Sequence, residues 1–244
     1  MRPLIAVIGA SVFAFALALA TITTPGPSAG ALPTIAARFT PDPSVTSRLI
    51  PAAAYGRLAP EDRVDRTRRS VYGLALPIEG ATLPLDPELL PNAARDFRAG
   101  WHEGIDFAAD DGTPVHAVAD GVISRIDHDF NDWSFEEEQQ ALAAAVELGY
   151  TPAATLDRVR GRQVWIDHGG GIMSRYAHLS AVLPELAVGV VVARGQVIGT
   201  VGKSGYPEGG PHLHLEVRLG SSYLGDGLTG DGLVATIAAA FAPR

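Results

Sequence analysis

Cysteine is absent from this 244-residue chain, and lysine occurs once, at Lys203. Without thiols there is no disulfide framework, no closed thiolate metal site and no acylated lipoprotein cysteine, so any membrane attachment must come from an apolar segment. The scarcity of lysine and the formal net charge of -8 argue against nucleic acid as a partner. Two motifs are lacking as well. There is no His-Glu-x-x-His, so a metal-dependent hydrolase site would have to rest on strands rather than on one helix. Gly199-Thr-Val-Gly-Lys-Ser-Gly205 contains Gly-Lys-Ser, but its spacing and its position between strands exclude a phosphate loop.

What the chain does have is a concentration of histidine. Four of its seven histidines, with one aspartate, fall in Trp101-His-Glu-Gly-Ile-Asp106, Arg175-Tyr-Ala-His178 and Pro211-His-Leu-His214. From His212 to Leu219 polar and apolar residues alternate without a break, the signature of a half-buried strand, so both imidazoles point to one face, roughly 6–7 Å apart. By the same parity His102, Gly104 and Asp106 share a face, Ile105 and Phe107 take the other, and Gly104 leaves room between the two polar side chains. One imidazole and one carboxylate from this segment, with one histidine of the last strand, give a donor set suited to zinc with a fourth position open for water.

Taken together, His102-Glu-Gly-Ile-Asp106, Gly112-Thr-Pro-Val115, Ala119-Asp-Gly-Val122, Asp167-His-Gly, Tyr176-Ala-His-Leu179 and Gly210-Pro-His-Leu-His-Leu-Glu216 resemble the lysostaphin-type, LytM-like zinc endopeptidases. These cut peptide cross-links of bacterial peptidoglycan. The resemblance runs from about Leu76 to Leu219, with the motifs in the expected order. It implies that His102, Asp106 and His214 hold zinc, that His178 and His212 form the catalytic pair, and that the substrate is a stem or cross-bridge peptide of peptidoglycan. Zinc would polarise the scissile carbonyl and acidify water, and histidines titrating near working pH would move the protons.

The remaining histidines have plainer readings. His116 and His128 are expected to be surface or hydrogen-bonded structural residues, and His168 to bond the Gly169-Gly-Gly171 turn that follows it. Glu103 and Glu216 are candidates for fixing the tautomers of the ligand imidazoles. Tyr176 is a candidate for lining the cleft, and Tyr206 to Gly210 for touching substrate.

The expected architecture is all-β, an antiparallel sheet or sandwich built from Val115–Ala119, Gly121–Ile126, Val164–Ile166, Ile172–His178, Val190–Val192, Gln196–Ile198 and His212–Leu219. From Val71 onward the pattern turns strand-like, with Leu76-Pro-Ile-Glu-Gly80 at the start of a catalytic domain spanning 71–244. A helical insertion over 130–161 departs from simpler relatives. Ser134-Phe-Glu-Glu137 makes a capping box, Gly149 can end the first helix, and Thr151-Pro152 opens a second that Gly161 can close. It either decorates the surface or walls the groove. The tail from Gly230, apolar and alanine-rich over Val234 to Phe241, reads as a short helix on the sheet.

Residues 1–31 read as a secretory signal, cleaved after Ala20 or Ala31, or as an uncleaved membrane anchor, because Leu4–Ala20 is an apolar run close to a membrane span in length. Either implies export. Residues 32–70 read as a linker or arm, ending in the basic cluster Arg66-Thr-Arg-Arg69. An arm and possible anchor favour action on the cell's own wall over the killing of rivals. Two other classes fit parts of the pattern. One is a catalytically silent LytM-like regulator of other wall hydrolases, though no site residue is lost here. The other is a histidine phosphocarrier, in which an export signal and His102-x-x-x-Asp106 would have no job.

Overall fold

Short β-branched runs punctuated by glycine form twelve strands in the computed structural model, which describes residues 71–243. The signal or anchor, the arm and the basic cluster lie outside the described residues. In chain order the strands are β1 (Ala94–Arg95), β2 (Gly100–Trp101), β3 (Ile105–Ala108), β4 (Pro114–His116) and β5 (Gly121–Ile126). After the helical insertion come β6 (Val164–Asp167), β7 (Ile172–Ala177), β8 (Leu179–Val182), β9 (Val191–Val192), β10 (Val197–Val201), β11 (His212–Leu219) and β12 (Ser222–Tyr223). One sheet has the order β12-β11-β7-β6-β5-β9 with β3 added beside β11, and a second has β4-β10-β8. Every pairing is antiparallel, as the all-β pattern requires.

The two sheets share one apolar core. Val115, Leu179, Ile198 and Val201 of the smaller sheet pack with Ile105, Phe107, Ile123, Val164, Ile166, Leu213, Leu215 and Val217 of the larger. Thus Ile105 and Phe107 on β3, and Leu213, Leu215 and Val217 on β11, commit one face of each strand to the core. The alternate residues are forced onto the opposite face. The C-terminal helix α3 (Gly230–Phe241) buries Leu233, Ile237 and Ala240.

The insertion forms as two helices, α1 (Phe135–Leu148) and α2 (Ala153–Val159). Ser134 Oγ accepts the Glu137 amide at 3.2 Å and Glu137 Oε2 accepts the Ser134 amide at 2.8 Å, while Gly149 closes the helix in the left-handed conformation. Its inward stripe joins Trp133, Leu142 and Val159 in a second small core, packed against Tyr206. The indole of Trp133 donates to Gly205 O at 3.0 Å, fastening the insertion to the loop before β11. No helix among the described residues is long and apolar enough to cross a membrane.

Three local expectations change. Residues 71–93 form no strand: Pro77, Pro84 and Pro87 withhold ladder donors, and only single bonds such as His116 N to Pro77 O tie the segment down. Leu179–Val182 is a strand not foreseen, because His178 interrupts the run and a new strand starts after it. Tyr176 does not line the cleft. It lies on the core face with no exposure, and its hydroxyl accepts from Val118 N at 2.8 Å.

Glu138 sits on the buried stripe of α1 with Oε1 lacking a partner among the described residues. Burial, then Glu208 and Asp132, pushes its carboxyl up to about 7 from an ordinary 4.5. The folded state therefore holds this proton more tightly than the unfolded chain, and stability falls as pH rises from about 4.5 through about 7. Glu138→Gln should melt above wild type at pH 8, by about 2–4 °C for each kcal/mol gained, and converge with it below pH 4.5. Parallel melting curves across the pH range would sink this account.

Candidate metal centre

Strand register builds the centre. His214 on β11 stands directly opposite Asp106 on β3, and its other neighbour is Ala177, the last residue of β7. His102 is brought in from just beyond β2, where it trades backbone hydrogen bonds with Asn92 and Ala93. The result is a triangle of donor atoms. His102 Nε2 lies 3.0 Å from Asp106 Oδ1 and 3.0 Å from His214 Nδ1, and the last two are 2.8 Å apart. Donors at 2.0–2.1 Å on a tetrahedral ion would be about 3.3 Å apart, so the triangle is close to the size a zinc ion needs.

The tautomers follow from the outer partners. His102 Nδ1 is 2.8 Å from Leu90 O and must donate to it, which leaves Nε2 as a bare lone pair. His214 Nε2 is 3.3 Å from Glu216 Oε1, so a proton there leaves Nδ1 bare in the neutral ring. Two lone pairs and a carboxylate oxygen then converge on one point, an arrangement that demands a cation. A proton can fill part of that demand. Burial opposes charge on His214, but the hydrogen bonds and charges of Asp106 and Glu216 prevail and raise it to about 9. Burial also lowers His102, against the pull of Asp106, whereas the two imidazoles hold Asp106 well below the usual carboxylate range despite its own burial.

His178 and His212 stand beside the triangle with ring centres 4.6 Å apart. His178 Nδ1 donates to Ser204 O at 2.9 Å and His212 Nδ1 to Gly210 O at 2.9 Å, so each neutral ring has a bare Nε2. His212 Nε2 is 4.0 Å from Asp106 Oδ1. Burial, and then the neighbouring His212 and His214, push His178 down to about 3, which keeps it neutral. His178 also has a φ of 60°, unusual for a residue with a side chain, and its amide is held by Arg160 O at 2.8 Å.

Behind His214 lies a charge cluster. Glu216, with no exposure, is met by Arg160 Nε at 2.5 Å, Arg175 at 3.3 Å and Arg218 at 3.3 Å. These keep it ionised, opposing its burial and acting together with His214. The alternation of β11 therefore does not leave a wet face, because the arginines and the insertion cover it. Glu103 bonds Arg160 at 2.8 Å and Arg218 at 2.6 Å rather than a ligand imidazole, so of the two candidate carboxylates Glu216 alone touches one.

All five sequence-derived residues, His102, Asp106, His178, His212 and His214, line one cavity of about 510 Å³. Leu156 and Val159 of α2 form part of its wall, as do Tyr206 and Gly209. The other histidines are elsewhere. His116 bonds Gly195 O and His128 bonds Leu186 O, while the His168 ring bonds Asp120 O and Ser174 Oγ and its amide closes the following turn on Ile172 O. Sequence reasoning missed Arg95, Arg98 and Arg160 in the cavity wall. The position of Arg218 on the same strand face as His214 and Glu216 was readable by parity; Arg160 left no comparable signal.

A β-sandwich that carries a two-histidine, one-aspartate centre with two further histidines alongside has the architecture of a metallopeptidase. The chain belongs to Peptidase family M23, whose sequence profile matches residues 100–225, just over half of its length. Among similar curated proteins, DD-carboxypeptidase/endopeptidase Mpg of Neisseria meningitidis is 40% identical over 118 residues, covering 48% of this chain and 20% of that protein. Peptidoglycan DD-endopeptidase ShyA of Vibrio cholerae is 36% identical over 120 residues, covering 49% and 21%. The chain thus spans about a fifth of the length of these curated relatives. Among solved structures, the catalytic domain of lysostaphin from Staphylococcus simulans is 27% identical with a TM-score of 0.33, over 61% of this chain and 77% of that one.

Gly104 tests the geometry. A methyl group there would lie 2.6 Å from Leu215 O and 2.8 Å from His214 Cε1, so β3 or the imidazole must shift. Gly104→Ala should lower zinc affinity at least tenfold in competition with a chromogenic chelator while the far-ultraviolet spectrum is kept. Unchanged affinity would show that His214 is not held where the register puts it.

Proposed function

We propose that this chain is an exported zinc-dependent endopeptidase that hydrolyses peptide cross-links of bacterial peptidoglycan. The observation that carries this reading is the convergence of His102 Nε2, Asp106 Oδ1 and His214 Nδ1 within 3.0 Å of one another, with two more imidazoles in the same cavity. Membership of Peptidase family M23 supports the chemistry. The names of Mpg and ShyA support the substrate class. The apolar run Leu4–Ala20 supports export and leaves membrane anchoring as a variant of it.

His102, Asp106 and His214 would hold the ion, and their outer partners Leu90 O and Glu216 would fix ring orientation. Bound there, zinc supplies Lewis acidity toward a carbonyl oxygen and toward water. His178 and His212 handle the protons. With Nδ1 of each ring committed to a backbone carbonyl, proton exchange runs through Nε2. With ring centres 4.6 Å apart, the pair can take a proton from water and return it to the departing amine. The burial of His178 shields that exchange from bulk solvent.

Zinc content and cleavage of purified cross-linked muropeptides test the reading together. Wild type should hold one zinc ion per chain and cut a peptide bond. His214→Ala should lose both. His178→Ala and His212→Ala should keep the zinc while kcat falls by about 10²–10⁴. One bound zinc with no cleavage of any muropeptide by wild type would favour a catalytically silent regulator, and a protein that takes up no zinc would remove the proposed centre.

A further inference from the structure

Arg98 is a buried cation that no carboxylate of the described residues contacts, with Glu103 and Glu216 acting on it only from a distance. It is 6% exposed, yet among the described residues it forms no ion pair. Its Nη1 donates to Thr151 Oγ1 at 3.0 Å and its Nη2 to Trp101 O at 2.6 Å, both uncharged acceptors. The other two arginines of the cavity differ. Arg160 is clamped between Glu216 and Glu103, and Arg95 lies 3.6 Å from both Glu88 and Asp106. A guanidinium removed from water without a contacting anion is unfavourable. Burial, followed by repulsion from Arg160, lowers Arg98 to about 10, which still leaves it charged at neutral pH.

The chain makes room for this arrangement. A side chain at Gly100 would collide with Arg98 Nη1 and with Thr151 Oγ1, so glycine there lets the guanidinium lie between β2 and the start of the second inserted helix. Arg98 lines the same cavity as the three metal-binding candidates and the His178–His212 pair. The carboxylates of the cavity wall, Glu88, Glu103, Asp106 and Glu216, pair with other groups and leave Arg98 without an ion pair.

We propose that Arg98 receives a carboxylate of the substrate, so that the chain acts on peptides bearing a free carboxylate beside the scissile bond rather than on uncharged glycine bridges. This rests on the peptidase reading of the same cavity. A bound carboxylate would supply a contacting anion in a water-poor site, where a guanidinium–carboxylate hydrogen bond is strongest. Two groups of a cross-link peptide offer that chemistry: a C-terminal α-carboxylate and the free carboxylate of a diamino diacid at the cross-link.

Three synthetic cross-linked peptides decide the matter: one with both carboxylates free, one with a C-terminal carboxamide, and one with the diamino diacid amidated. They are compared on zinc-loaded wild type and Arg98→Gln of the full chain, after zinc content shows both sites filled. In wild type one amidation should lower kcat/KM by about 10- to 100-fold, mainly through KM, and the amidation that does so identifies the source. In Arg98→Gln the free and amidated peptides should be cut within about twofold of each other, and Arg98→Lys should restore part of the discrimination. Wild type cutting all three alike would overturn the proposal, as would Arg98→Gln losing the same factor on every peptide, the mark of a structural role. If wild type cuts none, the peptidase reading fails. Calorimetric binding of the three intact peptides to both proteins then judges the subsite separately: a carboxylate preference lost in Arg98→Gln supports it, and equal or no binding overturns it.

Discussion

The carboxylate of Glu216 organises this face of the molecule. It has no exposure, and it stands two residues beyond His214 on the same face of β11, so whatever neutralises it also sets the metal ligand. A lone buried carboxylate would be untenable; three guanidinium groups and one imidazole keep it ionised. The same contact that helps offset its desolvation holds a proton on His214 Nε2 and turns Nδ1 toward His102 and Asp106. Structural and functional demands thus meet in one side chain. Replacing the cluster by apolar residues would preserve packing and remove the force that sets the tautomer.

Arg160 gives the helical insertion its place in this scheme. It caps the C-terminal end of α2, reaches Glu216 and Glu103 with its guanidinium, and accepts the His178 amide on its carbonyl oxygen. One residue therefore touches the group behind a metal-binding candidate and the backbone of a proton-transfer candidate. The insertion is not a detachable ornament. Excising it would leave Glu216 short of its nearest guanidinium and free the strained backbone of His178, beyond any effect on the cavity wall that Leu156 and Val159 provide. Gly161 and Gly205 reinforce the join, since a side chain on either would strike the backbone of the other's loop.

Local periodicity made much of this legible. The unbroken alternation from His212 to Leu219 placed both imidazoles on one face, and the parity of His102, Gly104 and Asp106 put an imidazole and a carboxylate on one face with room between them. The capping box at Ser134 and the glycines at 149 and 161 marked the inserted helices because caps are chemistry of neighbouring residues. What stayed hidden depends on chain closure over long distances. Nothing near Arg160 in sequence announces that it will meet Glu216, and the pattern around Tyr176 does not say which face of β7 is inward. The φ of His178 is likewise imposed by Arg160 O and Ser204 O, contacts that exist only after the insertion and the loop before β11 have folded against each other.

Charge in the cavity is set by few groups. The whole sequence carries a formal -8, whereas three arginines lining the cavity (Arg95, Arg98 and Arg160) face four lining carboxylates (Glu88, Glu103, Asp106 and Glu216), with Arg175 and Arg218 adding two positive charges behind Glu216 and Glu103. A divalent cation held by His102, Asp106 and His214 would turn the lining net positive. Small anionic groups would then be drawn to one place on an otherwise acidic protein, because low-dielectric walls focus the local field. His178 fits that pattern: held neutral by burial and by its neighbouring imidazoles, it adds no further positive charge where a carbonyl oxygen must approach. The guanidinium of Arg98 and the Nε2 edges of His178 and His212 are then complementary features of one cavity, the first suited to hold a substrate carboxylate and the second to exchange protons beside it.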